Sequence, residues 1–99
     1  MKVLQEGHKY ELESFEGSEP QTIQFIYKVA EGEALQTVTD GTTNEEVLDV
    51  LIDRLTYLND KFPCDENENA IDHLLEAKMQ LVKRTRDRIN RRVEGKALA

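Results

Sequence analysis

The sequence is poor in the residues that build disulfide frameworks and metal sites. Its 99 residues include one cysteine, two histidines and no tryptophan. The single cysteine, Cys64, cannot form an internal disulfide, and with only His8 and His73 besides it a zinc site is not expected. We interpret Cys64 as a small buried hydrophobe. The sequence therefore predicts no metal, no cofactor and a reducing, cytoplasmic compartment.

Long apolar runs are also missing. No stretch approaches the roughly 20 residues that a bilayer crossing needs, and the first fifteen residues lack the apolar region of a signal peptide. We therefore expect no membrane partner. Apolar residues make up 38% of the chain and charged residues 33%, a composition typical of a polar but folded chain. The length suits one small domain over residues 1–99.

Positive charge is scarce except at one end of the chain. The net charge is −7, yet residues 78–96 contain eight basic and two acidic side chains, for a net charge of +6. The other eighty residues carry five basic and eighteen acidic side chains, for a net charge of −13. An acidic protein of this kind would repel a long nucleic acid. Its basic segment suits a small compact anion or an acidic protein surface.

The first part of the chain has the period of strands. In residues 21–29 the apolar side chains of Ile23, Phe25, Tyr27 and Val29 alternate with polar ones, which predicts a half-buried strand. Residues 8–15 and 34–39 are expected to flank it, with turns at 16–20 and 31–33. The prediction is a small antiparallel β-meander of three strands over residues 8–39.

The second part has the period of helices. Thr43 and Glu46 form a capping-box pattern at the start of a first helix over 43–62, which Pro63 ends. A second helix is predicted over 65–94. The fold class is thus α+β, a small N-terminal antiparallel β-meander followed by a long antiparallel helical hairpin. The second helix outruns the first by about 14 Å, and its basic, partly apolar overhang favours association as a two-fold dimer.

The overhang carries the strongest local pattern. Arg84, Arg88 and either Arg91 or Arg92 align on one helix face, where guanidinium groups one turn apart can each hold a phosphate. The alternative is a solvated basic face at a helix C-terminus. Tyr57 is either core filler at the edge of the apolar seam or a stacking surface for a base. Asn67 is either a helix cap or a reader of polar ligand groups.

Catalytic patterns do not accompany these candidates. His73 is isolated, no Ser/His/Asp or Cys/His pairing suggests itself, and no glycine-rich phosphate loop is present. The sequence therefore predicts a binding protein and not an enzyme.

Taken together, the residues resemble a helical hairpin shared by two phage families, the first Thoeris anti-defence family and the second anti-CBASS family. The strands at 8–10 and 21–28 are more similar to those of the Thoeris anti-defence members. The resemblance covers roughly residues 8–95 and is carried by 41–48, 51–55, 57–58, 62–64, 66–67, 84–85, 87–88 and 93–95.

The resemblance implies a non-enzymatic sponge in the cytoplasm of an infected bacterium. Such proteins sequester the cyclic ADP-ribose isomer that Thoeris TIR proteins make, and they assemble as homodimers or homohexamers that can also hold cyclic di- or trinucleotides. The positions carried over as ligand-binding residues are Tyr57, Asn67, Arg84 and Arg88. A second ligand site would use Arg86, Arg91 and Arg92.

Two positions depart from the family pattern. Asp65 stands where an arginine is expected, and Arg92 stands where a small residue is expected. The charge reversal at Asp65 bears mainly on the site for cyclic oligonucleotides. The alternative function is a protein-interaction module whose basic helix docks an acidic partner.

Overall fold

The protein is described here by a computed structural model, which describes residues 1–91. Five strands precede two helices, which confirms the α+β class and the order of its parts. The elements are β1 (Lys2–Gln5), β2 (Lys9–Leu12), β3 (Gln21–Gln24), β4 (Tyr27–Glu31), β5 (Ala34–Thr39), α1 (Asn44–Lys61) and α2 (Asp65–Asn90). Neither described helix has the length and hydropathy that crossing a membrane requires. Residues 92–94, the end of the predicted second helix, lie outside the described residues.

The strands form two small sheets. β1, β2 and β3 make an antiparallel meander, while β4 and β5 make a separate two-stranded hairpin. The number of strands therefore differs from the predicted three. β1 was not anticipated, and the strand expected over 21–29 is divided after Gln24.

The division has a visible cause in the hydrogen bonds. After β3 the chain leaves β2 and pairs briefly with the segment that leads into α1. The backbone N–H of Ile26 donates to the carbonyl of Thr42 at 2.9 Å, and the N–H of Thr42 donates to the carbonyl of Gln24 at 2.8 Å. The alternating pattern of apolar residues continues through this point, so the pattern alone could not reveal the break.

Gly41 makes this crossing possible. A Cβ atom at that position would lie 2.5 Å from the carbonyl oxygen of Gln24 and 2.9 Å from the nitrogen of Ile26. Both are backbone atoms held by the hydrogen bonds of the crossing, so they cannot move aside cheaply. Glycine is required here for close approach of two backbone segments.

The helix starts are capped by side chains. Thr43 is the N-cap of α1, and its Oγ1 accepts a hydrogen bond from the Glu46 N–H at 3.3 Å, as the capping-box pattern predicted. Cys64 is the N-cap of α2, and its Sγ accepts from the Asn67 N–H at 3.4 Å. The interpretation of Cys64 as a buried hydrophobe is wrong, because its side chain is exposed and serves the helix end.

An ion pair gives the register of the helical hairpin. Lys78 Nζ on α2 lies 2.5 Å from Asp49 Oδ1 on α1, so these two positions are level along the antiparallel pair. Counting away from them in opposite directions, Tyr57 is level with residue 70 and Arg84 is level with residue 43. The last turns of α2 therefore extend beyond the start of α1.

Packing within one chain is thin. No apolar side chain among residues 1–91 is fully buried, and the radius of gyration is 16.7 Å, whereas a compact domain of this size has about 13 Å. The helices pack on each other and the strands on neighbouring strands, but no described strand packs closely against a helix. The apolar faces of both parts are therefore left partly open.

Candidate functional site

The basic end of α2 faces the β4–β5 hairpin across a cleft of about 720 Å3, which we call the arginine cleft. The overhang of α2 is thus not isolated within one chain, as the sequence suggested, but forms one wall of a cavity. Four cationic side chains line the cleft: Lys28, Arg84, Arg86 and Arg88. Its apolar lining comes from Ile26, Leu35, Val82 and Ile89, and Glu45 supplies a carboxylate.

Arg88 differs from the other cations of the cleft. It is 5% exposed, and it is the one buried residue among residues 1–91. A charged group is buried at a bearable cost in free energy only when it is held by polar or charged partners, so its position is fixed by its surroundings. The alternative reading of the arginines as a solvated basic face does not describe Arg88.

Arg84 lies between two depressions on α2. One is the arginine cleft, and the other is a shallower depression of about 240 Å3 that Arg84 shares with Arg91. Arg86 instead lines the arginine cleft and a groove along α2 beside Met79. Arg86 and Arg91 therefore do not share a described pocket. Arg92, the third residue predicted for a second ligand site, lies outside the described residues.

Tyr57 lies on an open face of α1. Its side chain is 58% exposed, and the Lys61 ammonium lies 5.0 Å from the centre of its ring. It borders a shallow depression that also includes Val50 and Arg54. Within one chain, Tyr57 is therefore not core filler, and its ring remains available to a ligand or to another chain.

Asn67 lies in the first turn of α2, near the connection between the helices. Its backbone N–H is the group that Cys64 caps, so Asn67 is not itself the N-cap. Nearby, the exposed His73 has its Nδ1 4.0 Å from the Glu76 carboxylate. The part of the chain that the structure describes contains no group of three metal-ligating side chains.

The four carried-over positions form two pairs at opposite ends of the hairpin. Arg84 and Arg88 lie together at the arginine cleft, whereas Tyr57 and Asn67 lie near the hairpin tip. Because Tyr57 is level with residue 70, fourteen residues before Arg84, the axial separation of Tyr57 from Arg84 is about 21 Å. A single chain does not bring the two pairs into one pocket.

Lys28 and Leu35 were not anticipated as lining residues of the site. They come from the β4–β5 hairpin, and their local sequence has no spacing that relates them to the arginines some 50 residues later. The crossing at Gly41 joins the chain just before this hairpin to the segment that leads into α1. Only the topology of the folded chain could have revealed them.

Comparisons with known proteins agree with the hairpin architecture. Residues 19–86, about two thirds of the chain, match the model of the Acb2/Tad1 hairpin domain. The chain is also similar to a protein named Thoeris anti-defense 1 from Bacillus phage SBSphiJ7, with 47% identity over 57 residues. That alignment covers 57% of this chain and 40% of the relative, so the chain spans about two fifths of the length of the curated relative that it matches.

Proposed function

The chain belongs to the Acb2/Tad1 hairpin-domain family, and from this premise we propose that it is a phage anti-defence protein. We infer that it sequesters the cyclic ADP-ribose isomer of Thoeris immunity in the cytoplasm of the infected bacterium, without cleaving it. The observation that carries this proposal is the arginine cleft, which gathers four cationic side chains in a protein whose net charge is −7.

The chemistry of the arginine cleft suits a diphosphate ligand with an organic frame. Arg84 and Arg88 are one helical turn apart, about 6 Å along the axis, so each guanidinium can take a separate phosphate. Such charge-assisted contacts are stronger than neutral hydrogen bonds. The apolar lining lowers the local dielectric and strengthens them further. A volume of about 720 Å3 also lies within the usual range of small-molecule sites.

The site would be completed by a second copy of the chain. The separation of about 21 Å between Tyr57 and Arg84 is more than twice the linear dimension of a cleft of this volume. Two hairpins that pack antiparallel around a two-fold axis would place the tip of one beside the arginine cleft of the other. Such a homodimer would hold two equal sites, each with Tyr57 and Asn67 from one copy and Arg84 and Arg88 from the other.

The exposed apolar side chains support this assembly. On the hairpin they include Val50 and Tyr57 of α1 and Leu75 and Met79 of α2, which are between 43% and 69% exposed. Covering such surface stabilises a complex by roughly 25 cal/mol for each Å2 removed from water. A homohexamer would bury still more, and cyclic di- or trinucleotides would then be further ligands at Arg86, Arg91 and Arg92.

A groove along α2 favours a second candidate function. This groove, of about 450 Å3, has an apolar floor at Leu75, Met79 and Val82, with Lys78, Lys83 and Arg86 around it. It would suit an acidic protein segment, as in the alternative of an interaction module. That function predicts binding that weakens strongly with salt, tolerance of Tyr57→Ala, and no stabilisation by small nucleotides.

Calorimetric titration with the cyclic ADP-ribose isomers made by TIR enzymes tests the sponge proposal. We expect nanomolar affinity, near one ligand per chain, and recovery of the ligand unchanged after the complex is denatured. Arg84→Ala should weaken binding by about 100-fold, since it removes a charge-assisted contact. The matched control is Lys2→Ala, which removes a positive charge from β1, outside the arginine cleft and the depression beside it.

Three results would contradict the proposal. One is the absence of binding by the folded protein. Another is an Arg84→Ala variant with the affinity of the wild type. The third is recovery of a hydrolysed ligand, which would mean an enzyme acting on the same signal.

A further inference from the structure

The β4–β5 hairpin forms the wall of the arginine cleft that the helices do not supply. We propose that Lys28, on this hairpin, is a further anion-binding residue of the site and contacts a phosphate of the ligand opposite Arg84 and Arg88. The inference rests on the proposed function for the identity of the ligand. The inference about the chemistry is independent of the proposed function, because it requires only that the ligand be a compact polyanion.

The register of the hairpin explains why Lys28 faces the cleft. Lys28 pairs with Thr37 and Ala30 pairs with Leu35, and residues paired in this way point to the same face of an antiparallel sheet. Lys28 and Leu35 both line the arginine cleft. The face that carries Lys28 is therefore the one turned toward the arginines, with an apolar side chain next to the charge.

The charges of the arginine cleft are unbalanced. Apart from the buried Arg88, the lining of the cleft within residues 1–91 has three cations, Lys28, Arg84 and Arg86, and one carboxylate, that of Glu45, and none of these three cations forms an ion pair within those residues. Like charges gathered in a partly enclosed space repel each other more than they would in open water. A ligand with two or more negative charges is attracted by these cations, and its binding reduces the repulsion among them. The excess of positive charge therefore points to a polyanion.

Lys28 also has an ordinary structural interpretation. A lysine on a short two-stranded sheet can prevent the sheet edge from pairing with another chain, and such a lysine would need no ligand. The two roles differ in what they predict, because a lysine that only protects an edge should not change the affinity for an anion. Its position in the lining of the arginine cleft favours the binding role.

The test compares Lys28→Gln with Lys2→Gln, which removes the same charge from β1, outside the cleft. Two probes are titrated into each folded variant, inorganic pyrophosphate and the cyclic ADP-ribose isomer that the wild type binds best. We expect Lys28→Gln to bind both probes about three- to tenfold more weakly, with a shallower dependence on salt. Lys2→Gln should match the wild type, and Lys28→Arg should keep most of the affinity.

The outcomes separate this inference from the proposed function. Equal affinity of Lys28→Gln and wild type for both probes overturns the role of Lys28 and leaves the sponge proposal standing. If the wild type binds pyrophosphate but no cyclic ADP-ribose isomer, and Lys28→Gln weakens pyrophosphate binding, the sponge proposal fails and the role of Lys28 is supported. If the wild type binds neither probe, both fail.

Discussion

Mixing two weakly binding variants should restore tight binding if each site is shared between two chains. Tyr57→Ala removes the ring at the hairpin tip, and Arg84→Ala removes a cation at the arginine cleft. The two positions are about 21 Å apart along one hairpin, so a ligand that contacts both must lie between copies. In a mixed dimer, one site has lost both residues and the other retains both.

The amount of restored binding follows from the two-fold symmetry. Equal amounts of the two variants, unfolded and refolded together, give about half mixed dimers, and each mixed dimer has one intact site of its two. About a quarter of the wild-type capacity should therefore return, with the wild-type affinity. Calorimetry of the mixture measures both the capacity and the affinity, and each variant refolded alone provides the baseline.

A second mixture provides an independent test of whether each site is shared between two chains. Wild type refolded with an equal amount of the Tyr57→Ala/Arg84→Ala double variant should have about a quarter of the capacity of the same total amount of wild type if sites are shared, and about half if each chain holds its own site. The shared site would be refuted if the first mixture had no sites of wild-type affinity and the second kept half of the capacity.

Two further predictions concern stability, and urea denaturation measures both. Gly41→Ala should lower the free energy of unfolding by about 1–3 kcal/mol, because the new Cβ would meet the backbone of Gln24 and Ile26; an unchanged midpoint would mean that the crossing is looser than described. Cys64→Ala should lower it by about 1 kcal/mol through loss of the α2 N-cap, while Cys64→Ser should change it by less than about 0.5 kcal/mol, since serine is itself a preferred N-cap. Equal effects of the two Cys64 variants would argue against a capping role.

The first helix could be predicted closely because its signals are local. Thr43 and Pro63 bracket α1, and the predicted range of 43–62 differs from the observed Asn44–Lys61 by one residue at each end. The apolar repeat at spacings of three and four needs no knowledge of distant residues. The same local reasoning gave the order of strands before helices and hence the fold class.

The strands could be predicted less well because their partners lie far away in sequence. The division at Ile26 depends on Gly41, fifteen residues later, and no alternation of side chains records it. The role of Cys64 was missed for a different reason. Cysteine is usually buried, and its use as a helix cap is visible only once the turn before α2 is known.

The sequence could suggest candidate residues for the site, but not where they lie relative to one another in the fold. The arginines were found from their helical spacing, yet their distance from Tyr57 follows only from the hairpin register that Lys78 and Asp49 define. Lys28 could not be found at all without the sheet. Spacing along one element identifies candidate contacts, whereas the elements that meet around a ligand are decided by topology.

If the open apolar faces of the hairpin pair two copies, the amount of ligand bound would depend steeply on the concentration of the protein. If pairing of copies completes each binding site, the number of sites rises with the square of the concentration while most chains are still single. The few copies present early in an infection would then bind almost none of the proposed ligand. A modest further increase in the number of copies would bind much more of it. A ligand held between two copies also favours their association. The proposed ligand would thus promote assembly of the dimer that sequesters it.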